Sequence, residues 1–188
     1  MFLDNRNARR LISTNPVVLI TTTNEMGKPN AMTAAWCTPV SLKPSLIMVA
    51  IHEDRYTMEN IEETGEEKGF VINVPSKDQL EGVYHVGTRS GKKEEGNIRK
   101  AGFGIKSSEK LDVPKIENCP AYIECEVEDK VKEGDHYLVI GKPVSAEVKD
   151  EYWEGKFLAH KAKVFHHLGG NEFLCNGEVL DVELDKKE

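Results

Sequence analysis

Residues 17–23, VVLITTT, are β-branched at every position except Leu19. Two heavy atoms on Cβ stiffen a side chain in a helix and suit it to a pleated surface, so the segment is read as a strand. The NEMG at 24–27 stops it with a turn. Two further runs follow: 30–42, small and mixed, and 45–51 (SLIMVAI), continuously apolar and expected to be buried on both faces. Short strands at regular spacing point to an antiparallel barrel or sandwich.

Two helical pieces interrupt the strands. Asp54 is expected to cap a helix that carries Met58 and Ile61 at helical spacing and ends at Gly65. After a strand at 70–74, Pro75-Ser76 opens a second helix through Leu80, Val83 and Tyr84, ending at Gly87. The stretch 87–96 (GTRSGKKEEG) has no apolar period and reads as a loop. Residues 122–128 alternate, with Ile123, Cys125 and Val127 on one face and Glu124, Glu126 and Glu128 on the other. Gly134-Asp135 turns the chain into a strand at 136–144, and 163–168 reads as one more before a polar tail. There is no internal repeat.

Composition narrows the function classes. The 188 residues carry 25 basic and 32 acidic side chains, a net charge of −7, which argues against a general electrostatic grip on nucleic acid or an anionic membrane. The N-terminal ten residues are polar, include three arginines, and are followed by no apolar stretch of signal-peptide length. Cys37, Cys119, Cys125 and Cys175 are scattered, without a disulfide or zinc pattern. A reduced, cytoplasmic protein is expected. Cys37 is expected to be a buried, inert thiol, the other cysteines structural, and Tyr152 and Trp153 to pack a peripheral helix or a subunit contact.

Motifs for a Rossmann site, a P-loop, a nucleophile elbow or a zincin helix are absent, and no arginine pair marks a 2′-phosphate. His52-Glu53-Asp54 and His166-His167 lack a spaced set of partners, so no metal site is expected. Three segments do suit a phosphate-bearing planar ligand. Arg55, Tyr56 and Thr57 lie in the first turn of the expected helix, where free N–H groups favour an anion, although a capped helix with a surface arginine reads the same. The loop at 87–93 combines glycines with Thr88, Ser90, Arg89, Lys92 and Lys93, and fits either a phosphate fold-over or a solvated charged loop. The alanine-rich NAMTAAWC at 30–37 lets a flat ligand approach the backbone, or lets a strand pack tightly.

The order of these motifs (VVLITT, NAMTAAWC, SLIMVAI, RYTMENI, FVINVP, GTRSGK, CPAYIECEV, GDHYLVIG) resembles the flavin reductase-like FMN-binding family, especially its flavoredoxin branch, over about residues 10–170. The resemblance implies a mainly β fold, an antiparallel split β-barrel with a few short helices, forming one domain over the chain. It also implies a homodimer with FMN bound non-covalently near the subunit interface, and no catalytic side chain. Asn30, Met32, Thr33, Ala34, Ala35 and Trp36 correspond to the strand lining the flavin ring. Arg55, Tyr56 and Thr57, with Ser90, Gly91 and Lys92 or Lys93, correspond to phosphate contacts. His136 and Phe165 correspond to later contacts, from the same or the partner subunit. The charged KKEEGNIRKAGF at 92–103 departs from the family pattern and leaves the choice of lysine open. The implied activity is electron transfer by an NAD(P)H-dependent flavin or ferric-type reductase. Alternatives are an electron carrier reduced by a partner protein and a barrel without flavin that is structural or ligand-sensing. The acceptor is free flavin, iron or a redox partner protein.

Overall fold

The computed structural model describes residues 4–12, 14–64, 69–175, 177 and 179–180. Its strands are β1 (Val18–Thr23), β2 (Pro29–Ala34), β3 (Cys37–Leu42), β4 (Ser45–His52), β5 (Phe70–Val74), β6 (Ile105–Lys106), β7 (Lys115–Ile116), β8 (Ala121–Glu133), β9 (His136–Val148), β10 (Phe165–Gly169) and β11 (Glu172–Cys175). The helices are α1 (Tyr56–Thr64), α2 (Leu80–Thr88) and the single turn α3 (Asn97–Lys100), with 3-10 turns at Asn5–Ile12, Lys77–Gln79 and Asp150–Tyr152. No helix among the described residues is long and apolar enough to cross a membrane.

Seven strands form one antiparallel sheet in the order β2-β1-β5-β8-β9-β4-β3. Met32 and Ala34 of β2 share a core with Val49 and Ile51 of β4, although these strands stand near opposite ends of that order. Only a sheet curled on itself brings them together, so the antiparallel barrel is the architecture. Phe70, Ile72, Cys125, Val127 and Val139 fill the same interior, closed from below by Met58 and Ile61 of α1. Gly141 of β9 is required there, because a Cβ would run into the Phe70 ring and Cys125.

The outer face of β1 and β5 carries a second core. Val17, Leu19 and Val71 pack there against Val83 and Val86 of α2, Ile98 of α3, Ile116 and Phe165. Thus β1 alternates side chains between two interiors and is buried at every position. Thr21 ties it to the outer excursion, its Oγ1 donating to Pro114 O at 2.7 Å, and the amide of Asn73 donates to Leu19 O and Thr21 Oγ1 while its Oδ1 accepts from Ile116 N–H at 2.7 Å.

Several expected elements differ in detail. The run at 30–42 is two strands, because the chain breaks at Ala35 and Trp36 to turn from one end of the sheet to the other. β4 is not buried on both faces. Val49 and Ile51 enter the core while Leu46, Met48 and Ala50 are half-buried on the opposite side. Asp54 is not the cap of α1: the Arg55 carbonyl accepts from Met58 N–H at 2.8 Å, and Asp54 N–H instead donates to His52 Nδ1 at 3.1 Å. The expected helix end at Gly65 and most of the polar tail lie outside the described residues. The charged stretch at 92–103 contains α3, and the strand expected at 163–168 pairs as β10 with β11. Tyr152 closes a 3-10 turn, and Trp153 is exposed.

Glu124, on the polar side of β8, is fully buried. Its carboxylate accepts from the N–H groups of Glu109, Lys110 and Leu111 and meets Lys115 Nζ at 3.0 Å, while Lys115 also reaches Glu147 at 2.8 Å. Burial pushes the Glu124 carboxyl up, but the three backbone donors and the ammonium outweigh it and hold the group below the usual glutamate range. This cluster fastens the chain between α3 and β8 to the barrel. Glu124→Ala leaves Lys115 buried with only Glu147, and denaturant unfolding is expected to show a loss of about 3–5 kcal/mol. A carboxyl depressed in the folded state stabilises above its unfolded value and ceases to as pH falls through the folded one. Glu124→Gln should therefore flatten the acid limb of the stability curve.

Candidate functional site

The turn of β2 into the sheet places Asn30 beside α1 and the loop after α2. The Asn30 amide donates to Thr57 Oγ1 at 3.0 Å, and Asn97 Nδ2 donates to Asn30 Oδ1 at 3.1 Å and to Ala31 O at 2.7 Å. All three side chains are buried. Since Thr57 Oγ1 accepts from Asn30, its own hydroxyl proton remains for a partner on the other side. A cleft opens there, lined by Asn30, Arg55, Thr57, Arg89, Ser90 and Gly91. Gly91 is the residue that permits this closeness, because a Cβ on it would collide with Asn30 Oδ1. Arg55 is held across the cleft by its Nη1 donating to Gly87 O at 3.3 Å, and the Tyr56 hydroxyl accepts from Asn24 Nδ2 at 3.3 Å. Hydroxyls, guanidinium groups and a helix start gathered at one small cleft are groups whose chemistry suits an anion, although Arg89 also meets Glu94 at 3.6 Å.

A second cavity continues from Arg55 along the outer side of β2, between Thr33 and Ala35 on one wall and Val83, Tyr84, Gly87 and His167 on the other. Thr33 Oγ1 donates to Val83 O at 2.5 Å, and Gly87 lies so close that a Cβ would sit 3.1 Å from Thr33 Cβ. Small side chains here keep the floor flat. Met32 and Ala34, on alternate positions of the strand, point into the barrel core, so only their backbone faces outward.

At the far end of β2, Trp36 is half-exposed and its ring stacks on His136 with centroids 4.9 Å apart. His136 Nδ1–H donates to Asp135 Oδ1 at 2.6 Å, and His52, its cross-strand partner, meets it edge-on at 5.1 Å. The hydrogen bond from His136 holds the Asp135 carboxyl below its ordinary value. No cluster of three or more metal-ligating side chains occurs among the described residues.

The sequence-derived residues thus divide. Asn30, Arg55, Thr57, Ser90 and Gly91 converge on the cleft, Thr33 and Ala35 line its continuation, and Tyr56 borders it. Lys92 turns away to Glu59, which it contacts at 2.6 Å and which raises its ammonium above the ordinary value, while Lys93 donates its N–H to Ser90 O. Phe165 is not brought to the cleft: its side chain is buried in the outer core, edge-on to Phe173. Asn97 was missed, since an asparagine inside a charged run carries no signal until the fold brings it to Asn30. Burial pushes the Cys37 thiol up to about 11, as suits an inert packing residue.

Residues 9–169 match the family described as the flavin reductase like domain. The chain belongs to that family. An uncharacterized protein of Archaeoglobus fulgidus is 39% identical over 149 residues, covering 79% of this chain and 82% of that protein. An NADH:riboflavin 5′-phosphate oxidoreductase of Streptomyces pristinaespiralis is 27% identical over 136 residues, 72% of each chain. In fold, the chain is similar to the flavoredoxin of Methanosarcina acetivorans, with a TM-score of 0.84 at 23% identity over 99% of this chain and 96% of that one. This flavin reductase-like chain therefore has the split barrel of its family, and the cleft described above lies on that barrel's outer edge.

The cleft depends on the missing side chain of residue 91. Gly91→Ala should force Asn30 away from Asn97 and lower stability by about 1–3 kcal/mol, read as a reduced midpoint in urea. Ser90→Ala, at the same turn but without a clash, should leave the midpoint unchanged.

Proposed function

We propose that the trench along β2 binds FMN non-covalently and that the protein is an NAD(P)H-dependent flavin reductase. The observation that carries this reading is the buried Asn30–Thr57–Asn97 network, which aims a set of anion donors into a cleft at one end of a flat, small-residue strand. The donor set fits a phosphate, and the close approach at Gly87 and Gly91 fits a ligand held against backbone. The similarity to an NADH:riboflavin 5′-phosphate oxidoreductase supports the same chemistry.

In this reading Thr57, Ser90 and Arg55 hold the phosphate, with Arg89 beside them, and Gly91 lets the loop close on it. The backbone of 32–36 and the side chains of Thr33 and Ala35 face the ring, and Trp36 with His136 forms the rim. The hydrogen bond from Nδ1 to Asp135 fixes the ring of His136 and turns its Nε2 away from Asp135. Bound FMN would supply a ring that takes a hydride from a nicotinamide and passes electrons onward, which asks of the chain position and electrostatics rather than an acid or a base.

Thr57→Ala and Trp36→Ala are each expected to weaken FMN binding at least tenfold, followed by flavin fluorescence. Full FMN occupancy in both purified variants would overturn the placement. Anaerobic addition of NADH and NADPH to the FMN-loaded protein is expected to bleach the visible flavin band within seconds. Colour that persists for hours would replace the reductase by an electron carrier fed by a partner protein.

The same reading takes the molecule as a homodimer. Leu42 is 90% exposed and Val40 48% exposed on β3, the terminal strand of the sheet, an apolar edge that a second copy would cover. Leu42→Asp should convert a sedimenting dimer to a monomer.

A further inference from the structure

The N-terminal segment lies over the trench. Val17 N–H donates to Phe165 O at 3.1 Å, Pro16 bridges to His166, and His166 Nδ1–H donates to Thr14 O at 2.6 Å, which together hold the preceding 3-10 turn beside the β10–β11 hairpin. Arg9 and Arg10 of that turn thereby line a cavity of about 210 Å³ with Ala35, Trp36 and His167. His167 is steadied by its Nε2–H donating to Gly170 O at 3.2 Å and by the Phe173 ring 5.2 Å away.

This cavity is the end of the trench. It shares Ala35, His167 and Gly170 with the cavity beside Thr33, which shares Arg55 with the anion cleft. The cleft at Thr57 and the cavity at Arg9 and Arg10 share no lining residue and lie at opposite ends of β2. The trench therefore has a cationic group at each end, in a chain whose net charge is −7. Paired guanidinium groups suit the geometry of a phosphate ester, and the half-exposed indole of Trp36 between them and the ring floor suits a planar ring.

We propose that Arg9 and Arg10 form a second anion subsite, which holds a phosphate ester of the co-substrate while its planar ring lies against the Trp36 end of the trench. This rests on the flavin reading above and assigns the co-substrate its anchor. The phosphate belongs either to a nicotinamide dinucleotide or to a second flavin mononucleotide acting as acceptor.

The test is equilibrium binding, read by calorimetry, of oxidised nucleotides to FMN-loaded protein and to the Arg9→Ala/Arg10→Ala double variant. Both positions are exposed, so the variant should fold, and its FMN content should match that of the unaltered chain. The ligands are NADP+, NAD+ and nicotinamide riboside, and then additional FMN and riboflavin. The variant is expected to bind the phosphate-bearing members of one series at least tenfold more weakly, with the phosphate-free member unchanged. A loss for NADP+ and NAD+ assigns the subsite to the nicotinamide donor, and a loss for additional FMN assigns it to the flavin acceptor. Unchanged affinity throughout, or an equal loss for nicotinamide riboside or riboflavin, overturns the subsite. Failure of the unaltered chain to load FMN would count against the functional reading instead, and the NADP+ titration of that unloaded protein and the double variant would still decide the subsite. Arg9→Lys/Arg10→Lys, which keeps both charges but not the forked donors, should restore part of the lost affinity.

Discussion

The structure depends on a strand that has no solvent face. Val18 and Ile20 of β1 enter the barrel, while Val17 and Leu19 enter the outer core under α2. Each buried aliphatic side chain contributes about 1.5–3 kcal/mol relative to exposure, and here both faces of one strand collect that gain. Antiparallel sheets more commonly leave one side wet. With both sides of β1 occupied, its neighbour β2 is pressed between the barrel and α2, and the trench is the narrow space left along β2's outer side.

Polar groups inside this packing are placed under strict conditions. A buried amide or hydroxyl is costly unless it finds a partner, and Asn30, Thr57, Asn73 and Asn97 all find one. Asn60 Oδ1 is the buried side-chain atom among the described residues that does not. The Asn30–Thr57–Asn97 bonds fix the orientation of these side chains and leave the Thr57 hydroxyl proton directed at the cleft. Charge is organised the same way. The chain is acidic overall, yet Arg9, Arg10, Arg55 and Arg89 line the connected cavities along β2.

The legibility of these features in the sequence followed the range of the interactions behind them. The run at 17–23 announces a strand because β-branching acts within each residue, and 122–128 announces an edge between apolar and polar because alternation acts over two residues. Glu124 shows the limit of that rule: its place on the polar side of β8 is correct, but what covers it is a segment that returns from α3. Phe165 shows another limit, since its packing in the chain's outer core depends on contacts with β1 and β11 that lie far away in the sequence.

Sequence alone was sufficient for the strands at 17–23, 70–74 and 122–128, the turns at Gly27 and Gly134 and the family, and it named Asn30, Arg55, Thr57, Ser90 and Gly91 as candidates, because these rest on local backbone preference and on motifs that keep their order. Tertiary structure decided which of them meet. It brought Asn97 to Asn30, drew Lys92 off to Glu59, sent Met32 and Ala34 inward, and laid Arg9 and Arg10 at the far end of β2. Those placements depend on how a curled sheet buries both sides of β1, through contacts between residues far apart in the chain that no local pattern records.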